Sequence, residues 1–197
     1  VTAEAPPVTD GPVFELADGV LERVASTERP QPNLAVVKMP VSPVSLVDVG
    51  FALVADELND PGNLGTILRS SEAAGIEVVV LTPGSVDPFN PKVVRASAGA
   101  LFHVPVITST VDDLRAAGLA LVGTSSHRGS DHTEADWSGR IAIVMGSEAH
   151  GLADDAPIDR WVRIEHRGRA ESLNVAMAAT LLVFEAARRR GTGGAGS

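Results

Sequence analysis

Between residues 51 and 166 the chain alternates two patterns. Short, nearly unbroken apolar runs stand at 51–57 (FALVADE), 77–82 (EVVVLT), 102–107 (FHVPVI), 119–124 (LALVGT), 141–146 (IAIVMG) and 161–166 (WVRIEH). They are rich in β-branched residues and do not alternate apolar with polar, as strands buried on both faces do. Helical stretches are predicted between and after them, over 63–74, 91–98, 110–117, 149–155 and 172–190. In the last, Leu173, Met177, Leu181, Phe184 and Arg188 recur at spacings of three and four. Ser172 is placed to cap that helix, and Arg188, Arg189 and Arg190 suit its negative end. Strand and helix in alternation predict an α/β fold, a mostly parallel sheet with helices on both faces.

The flanks read differently. Residues 1–12 are proline-rich and predict a flexible lead-in. Residues 13–50 hold a short amphipathic helix in VFELADGVLERVAST and a candidate strand in NLAVVKMP, too little for a core of their own. The chain therefore divides at 1–50, 51–190 and a glycine-rich tail at 191–197.

Composition narrows the classes. The chain has 197 residues, 44% of them hydrophobic, enough for one domain with a sizeable core. It has no cysteine, which removes disulfides and thiolate metal sites and fits a reducing cytoplasm. No apolar run reaches membrane-spanning length, and the first residues carry no secretory pattern. The net charge of -9 argues against a general nucleic-acid binder, and 4% aromatics with no tyrosine argue against a base-stacking one.

In open α/β sheets ligands bind beyond the carboxyl ends of strands, so the loops there hold the candidate chemistry. After FALVADE comes LNDPGN, where Pro61 and Gly62 predict a turn and Asn63 is a candidate helix cap; Gly65 and Arg69 follow. The ordinary reading is a tight turn with a surface arginine, but the density of special residues exceeds what a turn requires. After IAIVMG, Gly146 and Gly151 bracket Ser147, Glu148 and His150. A serine nucleophile is disfavoured, because an elbow needs G-x-S-x-G and Ser147 directly follows Gly146. After WVRIEH, a polar loop leads to Ser172 and Asn174. The phosphate loop G-x-x-x-x-G-K-[ST] is absent, and Gly62 and Gly65 give only part of a dinucleotide fingerprint. His127 and His132 sit in a polar loop without metal-ligand spacing, so no metal is expected.

These three loops, in this order, resemble the motifs of the SpoU (TrmH-like) RNA ribose methyltransferases of the SPOUT superfamily. The matching segments are DPGNLG (60–65) through Arg69 to Gly75, IVMGSEAHGL (143–152) and ESLNVAMA (171–178), with PKVVRASAGALFHVPV (91–106) between the first two. The resemblance spans about residues 51 to 190. It implies methyl transfer from S-adenosylmethionine to a ribose 2′-hydroxyl of structured RNA, in a homodimer. Arg69 is then the residue at the hydroxyl, with Asn63, Glu148, Ser172 and Asn174 in the catalytic pocket. The cofactor is expected in a C-terminal trefoil knot, at Thr124, Ile143, Gly146, Ile164, Ser172 and Leu173. Arg69, Lys92, Arg95 and Arg167 are expected to contact RNA, in keeping with phosphate binding by local basic residues. Two features depart from the family: Ile164-Glu165-His166 stands where Ile-Pro-Met is usual, and residues 13–37 resemble only the last part of a ribosomal-protein-like RNA-binding domain. That remnant leans the substrate towards large-subunit ribosomal RNA rather than transfer RNA, and implies that the chain is missing its beginning. A catalytically silent RNA- or ribosome-binding protein on this scaffold and a nicotinamide-dependent oxidoreductase are the competing readings.

Overall fold

A computed structural model of the chain describes residues 11–25, 29–40, 43–169 and 172–193. The first ten residues of the expected lead-in and residues 194–197 of the expected tail lie outside the described residues. Residues up to Pro40 form one unit and those from 43 onward another. The first holds a short helix, α1 (Val20–Val24), and exposes Phe14, Leu34, Val36 and Val37. NLAVVKMP is not a strand.

The second unit is built on one parallel sheet. Its strands are β1 (Phe51–Ala55), β2 (Val78–Leu81), β3 (Val106–Thr108), β4 (Ala120–Thr124), β5 (Ser130–Asp131), β6 (Ile141–Met145) and β7 (Arg160–Arg163). Their order is β3-β2-β1-β6-β4-β7-β5, and every pairing is parallel. The helices are α2 (Pro61–Ala74), α3 (Pro91–Ala96), α4 (Val111–Ala116) and α5 (Val175–Gly193).

The unbroken apolar runs arise because each central strand feeds two cores. In β1, Phe51, Leu53 and Ala55 face a cluster that includes Leu64, Ile67 and Leu68 of α2 and Leu182 and Val183 of α5. Ala52 and Val54 face the other cluster, with Leu114 of α4 and Val49 from the segment before β1. Arg140 ties that segment down by donating to the carbonyls of Val49, Ala117 and Leu46. Arg190 does the same at the end of α5, donating to the carbonyls of Trp137, Gly139 and Gly50. α2 also packs on α3 through Gly65: a Cβ there would lie 2.3 Å from the Cβ of Ala96, so only glycine admits this approach.

Three expectations fail for local reasons. FHVPVI contributes only its end to β3, because residues Ala100–Phe102 coil into a 3-10 turn. No helix forms over 149–155; Ser147 and Gly151 instead pair across a tight turn, with the Gly151 N–H donating to the Ser147 carbonyl at 2.9 Å. α5 starts later than Ser172. Asn174 caps it, its Oδ1 accepting from the N–H groups of Ala176 (2.9 Å) and Met177 (3.3 Å).

α5 also faces the other way from the expected stripe. Its buried face is Val175, Ala176, Ala179, Leu182, Val183 and Ala186, whereas Met177, Leu181 and Phe184 are 64%, 47% and 47% exposed. The large side chains point outward because α2 packs closely on α5, where Ser70 and Thr180 share a 2.6 Å hydroxyl hydrogen bond.

Candidate active site

The chain leaves β1 into a loop that ends at Asp60, whose carboxylate accepts from the Asn63 N–H at 2.8 Å and caps α2. Capping belongs to Asp60, not to Asn63, and with Pro61 at the first helical position it fixes the start of the helix. The side chain of Asn63 is therefore free to reach across the sheet end. Its Nδ2 donates to Glu148 Oε1 at 2.9 Å, and its Oδ1 accepts from Asn174 Nδ2 at 2.9 Å. One amide thus joins three loops, those after β1, β6 and β7. Asn174 is spent at both ends, its amide nitrogen on Asn63 and its oxygen on the start of α5.

Next to this network lies a cavity of about 640 Å³ over the ends of β4, β6 and β7. That is within the ~300–1,000 Å³ of small-molecule sites. Glu148, Ser172 and Asn174 line it, as do Thr124, Gly146, Ile164 and Leu173. Ile143 does not; it is buried in β6 within the core. Arg69 is exposed two turns into α2 and lies off the cavity wall. Six residues beyond Asn63, it is about 9 Å along the axis and roughly 120° around it. Lys92 and Arg95 are exposed on α3, against α2, and Arg167 is exposed after β7.

The walls fit a nucleoside carrying a polar tail. Serines and Glu148 line it along with Met145, Ile164 and Leu173, and Gly146 keeps the strand end bare of a side chain. Some lining residues carried no signal in the sequence. Arg128, from the polar loop that also holds His127, lies 3.5 Å above the Trp161 ring and 3.6 Å from Asp154, and all three border the cavity with His127. His166, at the departure from Ile-Pro-Met, also lines it, and its Nε2 is buried without a hydrogen-bond partner. Among the described residues no cluster of His, Cys, Asp and Glu is arranged to hold a metal, and no helix is long and apolar enough to cross a membrane.

Residues 50–184 match the profile of the SpoU rRNA methylase family. The chain belongs to that family. It is 37% identical over 179 residues to a 23S rRNA (guanosine(2553)-2′-O)-methyltransferase of Bacillus subtilis, covering 87% of this chain and 71% of that protein. It is 33% identical over 191 residues to a 23S rRNA (uridine(2479)-2′-O)-methyltransferase of Streptomyces viridochromogenes, covering 89% and 67%. Among solved structures, the SpoU methyltransferase AviRb of Streptomyces viridochromogenes, in complex with AdoMet, superposes with a TM-score of 0.68 at 35% identity. That match covers 77% of this chain and 64% of AviRb. With membership come the α/β fold, S-adenosylmethionine as cofactor and RNA methylation as the family's reaction.

Proposed function

We propose that the chain methylates a ribose 2′-hydroxyl of large-subunit ribosomal RNA in the cytoplasm, with Asn63, Arg69, Glu148, Ser172 and Asn174 as its catalytic site. The observation that carries this is the Asn174–Asn63–Glu148 hydrogen-bond chain at the edge of the cavity. It holds a carboxylate and an amide beside the space for the cofactor, where the loops after β1, β6 and β7 meet. When bound, S-adenosylmethionine supplies an electrophilic methyl group. The 2′-hydroxyl must lose its proton, which passes to solvent water, to be a useful nucleophile. The guanidinium of Arg69 acts by stabilising the developing alkoxide and holding a phosphate. Thr124, Gly146, Ile164, Ser172 and Leu173 hold the cofactor, in the knotted arrangement expected of the family, and Lys92, Arg95 and Arg167 track the RNA backbone. The two 23S rRNA relatives act on different nucleotides, a guanosine and a uridine. This supports a shared ribose chemistry, with the base chosen outside the network. Residues 1–50 we assign to an RNA-binding unit and linker, whose exposed Phe14, Leu34, Val36 and Val37 suit a larger domain core.

Calorimetric titration with S-adenosylmethionine, with NADH as control, tests the reading. Saturation near one cofactor per chain and no heat from NADH are expected. An absence of cofactor binding by folded protein would favour the silent RNA-binding reading.

The functional unit in this reading is a homodimer. The exposed Met177, Leu181 and Phe184 stripe on α5 supports it, since such a face is costly in water. Leu181→Asp is expected to shift the protein from twice the chain mass to once in light scattering and to lower methyl transfer. A dimer that survives this change would move the interface elsewhere.

A further inference from the structure

The loop that delivers Asn63 begins with a strained residue. Glu57 has φ 51, in the left-handed region that side chains other than glycine avoid. Elsewhere the described chain solves this need with glycine: eight glycines have positive φ, against two other residues, Glu57 and Ala98. What holds Glu57 is a relay from the end of the neighbouring strand. The Glu57 N–H donates to Thr82 Oγ1 at 2.8 Å, and the Thr82 hydroxyl donates to Asp56 Oδ1 at 2.8 Å. Thr82 is 6% exposed and is itself fixed by its N–H on the Ala55 carbonyl at 3.2 Å. Asp56 is fixed by its N–H on the Met145 carbonyl at 2.8 Å, one residue before Gly146. Beyond the kink Leu58 is buried, and its carbonyl accepts from the Val86 N–H at 2.8 Å; Asn59 Nδ2 closes the turn on the Glu57 carbonyl at 2.9 Å. Asp60 follows directly, and Asn63 three residues after it.

We propose that Thr82 is a positioning residue for methyl transfer, acting through Asp56 and the backbone of Glu57 to aim the Asp60–Asn63 segment. This rests on Asn63 belonging to the catalytic site. Strained backbone of this kind persists only where its surroundings over-determine it, and it gathers at functional sites. The hydroxyl is needed in both directions at once, accepting from Glu57 and donating to Asp56. Valine has the shape of threonine and neither capacity. In Thr82→Val the Glu57 N–H loses its partner, Glu57 relaxes towards negative φ, and the loop carrying Asn63 swings. Glycine at 57 needs no clamp, because it adopts the left-handed conformation freely.

The experiment uses the whole chain with in vitro transcribed 23S rRNA. It compares wild type, Thr82→Val, Thr82→Ser and the double variant Thr82→Val/Glu57→Gly. Thr82→Val is expected to lower kcat on the order of 10- to 100-fold, as sub-ångström to ångström misplacement does. The affinity for S-adenosylmethionine should stay near wild type, and amide exchange over residues 56–63 should quicken. Serine should retain wild-type kcat, and the double variant should regain much of it. Wild-type kcat in Thr82→Val, or a loss that Glu57→Gly does not repair, overturns the proposal. A wild-type chain that methylates no RNA overturns the functional reading instead. Unchanged exchange over 56–63 in Thr82→Val overturns the clamp whether or not transfer is seen.

Discussion

Arg69→Ala is expected to remove methyl transfer while leaving S-adenosylmethionine binding intact. The side chain is exposed, lies off the cavity wall and has no hydrogen bond or ion pair among the described residues. Its loss therefore leaves the cofactor's walls unchanged. It also leaves α2 unharmed, since alanine is the strongest helix former and the buried face of Leu64, Ile67 and Leu68 is untouched. The reaction, in contrast, loses its cation. Removing one group that stabilises developing negative charge costs about 10²–10³ in rate. Loss of a phosphate contact adds weaker RNA binding with a shallower salt dependence. Arg69→Lys should recover little, because an ammonium offers one point charge where the guanidinium offers a planar fork. The assay is transfer of labelled methyl to 23S rRNA, beside calorimetry with the cofactor. Transfer at wild-type rate by Arg69→Ala would sink the catalytic assignment. Loss of cofactor affinity would instead place Arg69 in the cofactor site.

The sheet was legible because its central strands are apolar on both faces, a pattern that surface strands do not show. Ile141–Met145 and Phe51–Ala55 are buried at every position. The orientation of α5 was not legible. Large side chains at helical spacing mark a stripe, yet the face that packs is made of smaller residues such as Ala176, Ala179 and Ala186. Which stripe turns inward depends on how closely α2 approaches, and no local pattern states that. The helix expected over 149–155 failed for a related reason: Gly146 and Gly151 draw the chain into a turn closed by the Ser147–Gly151 pairing. The candidate site was legible only as three motifs, whose residues Asn63, Glu148 and Asn174 the fold brings together. Asn63 meets Glu148 and Asn174 across 85 and 111 residues of sequence. Its special character showed only as an excess of polar and turn residues after strands. Thr82 gave no sign at all, because a threonine at the end of a strand is ordinary and its work is done by Oγ1 across to β1.

Gly146→Ala is expected to abolish cofactor binding, and methyl transfer with it. A Cβ on residue 146 would lie 2.2 Å from the Gly151 carbonyl carbon, 2.4 Å from the Leu152 nitrogen and 2.5 Å from the Gly151 oxygen. All three are backbone atoms, so no side chain can turn aside to make room. The turn from Ser147 to Gly151 must move as a body. That movement breaks the Ser147–Gly151 pairing and withdraws Glu148 from Asn63 while reshaping the wall between β6 and β7. Overpacking of this kind costs about 1–3 kcal/mol. The domain should thus remain folded, with a melting temperature lowered by several degrees, and yet bind S-adenosylmethionine at least about 100-fold more weakly, a difference of about 2.7 kcal/mol. Gly151→Ala is the matched control, because it is a glycine of the same turn needed for the opposite reason. Its φ is 67 and a Cβ there meets nothing within 4 Å, so alanine strains the backbone without striking a neighbour. That strain costs about 1–3 kcal/mol and leaves the cavity wall in place. If Gly146→Ala and Gly151→Ala weaken cofactor binding equally, general loosening of the turn is responsible. If only Gly146→Ala does so, the close packing of residue 146 against residues 151 and 152 is what shapes the cofactor site.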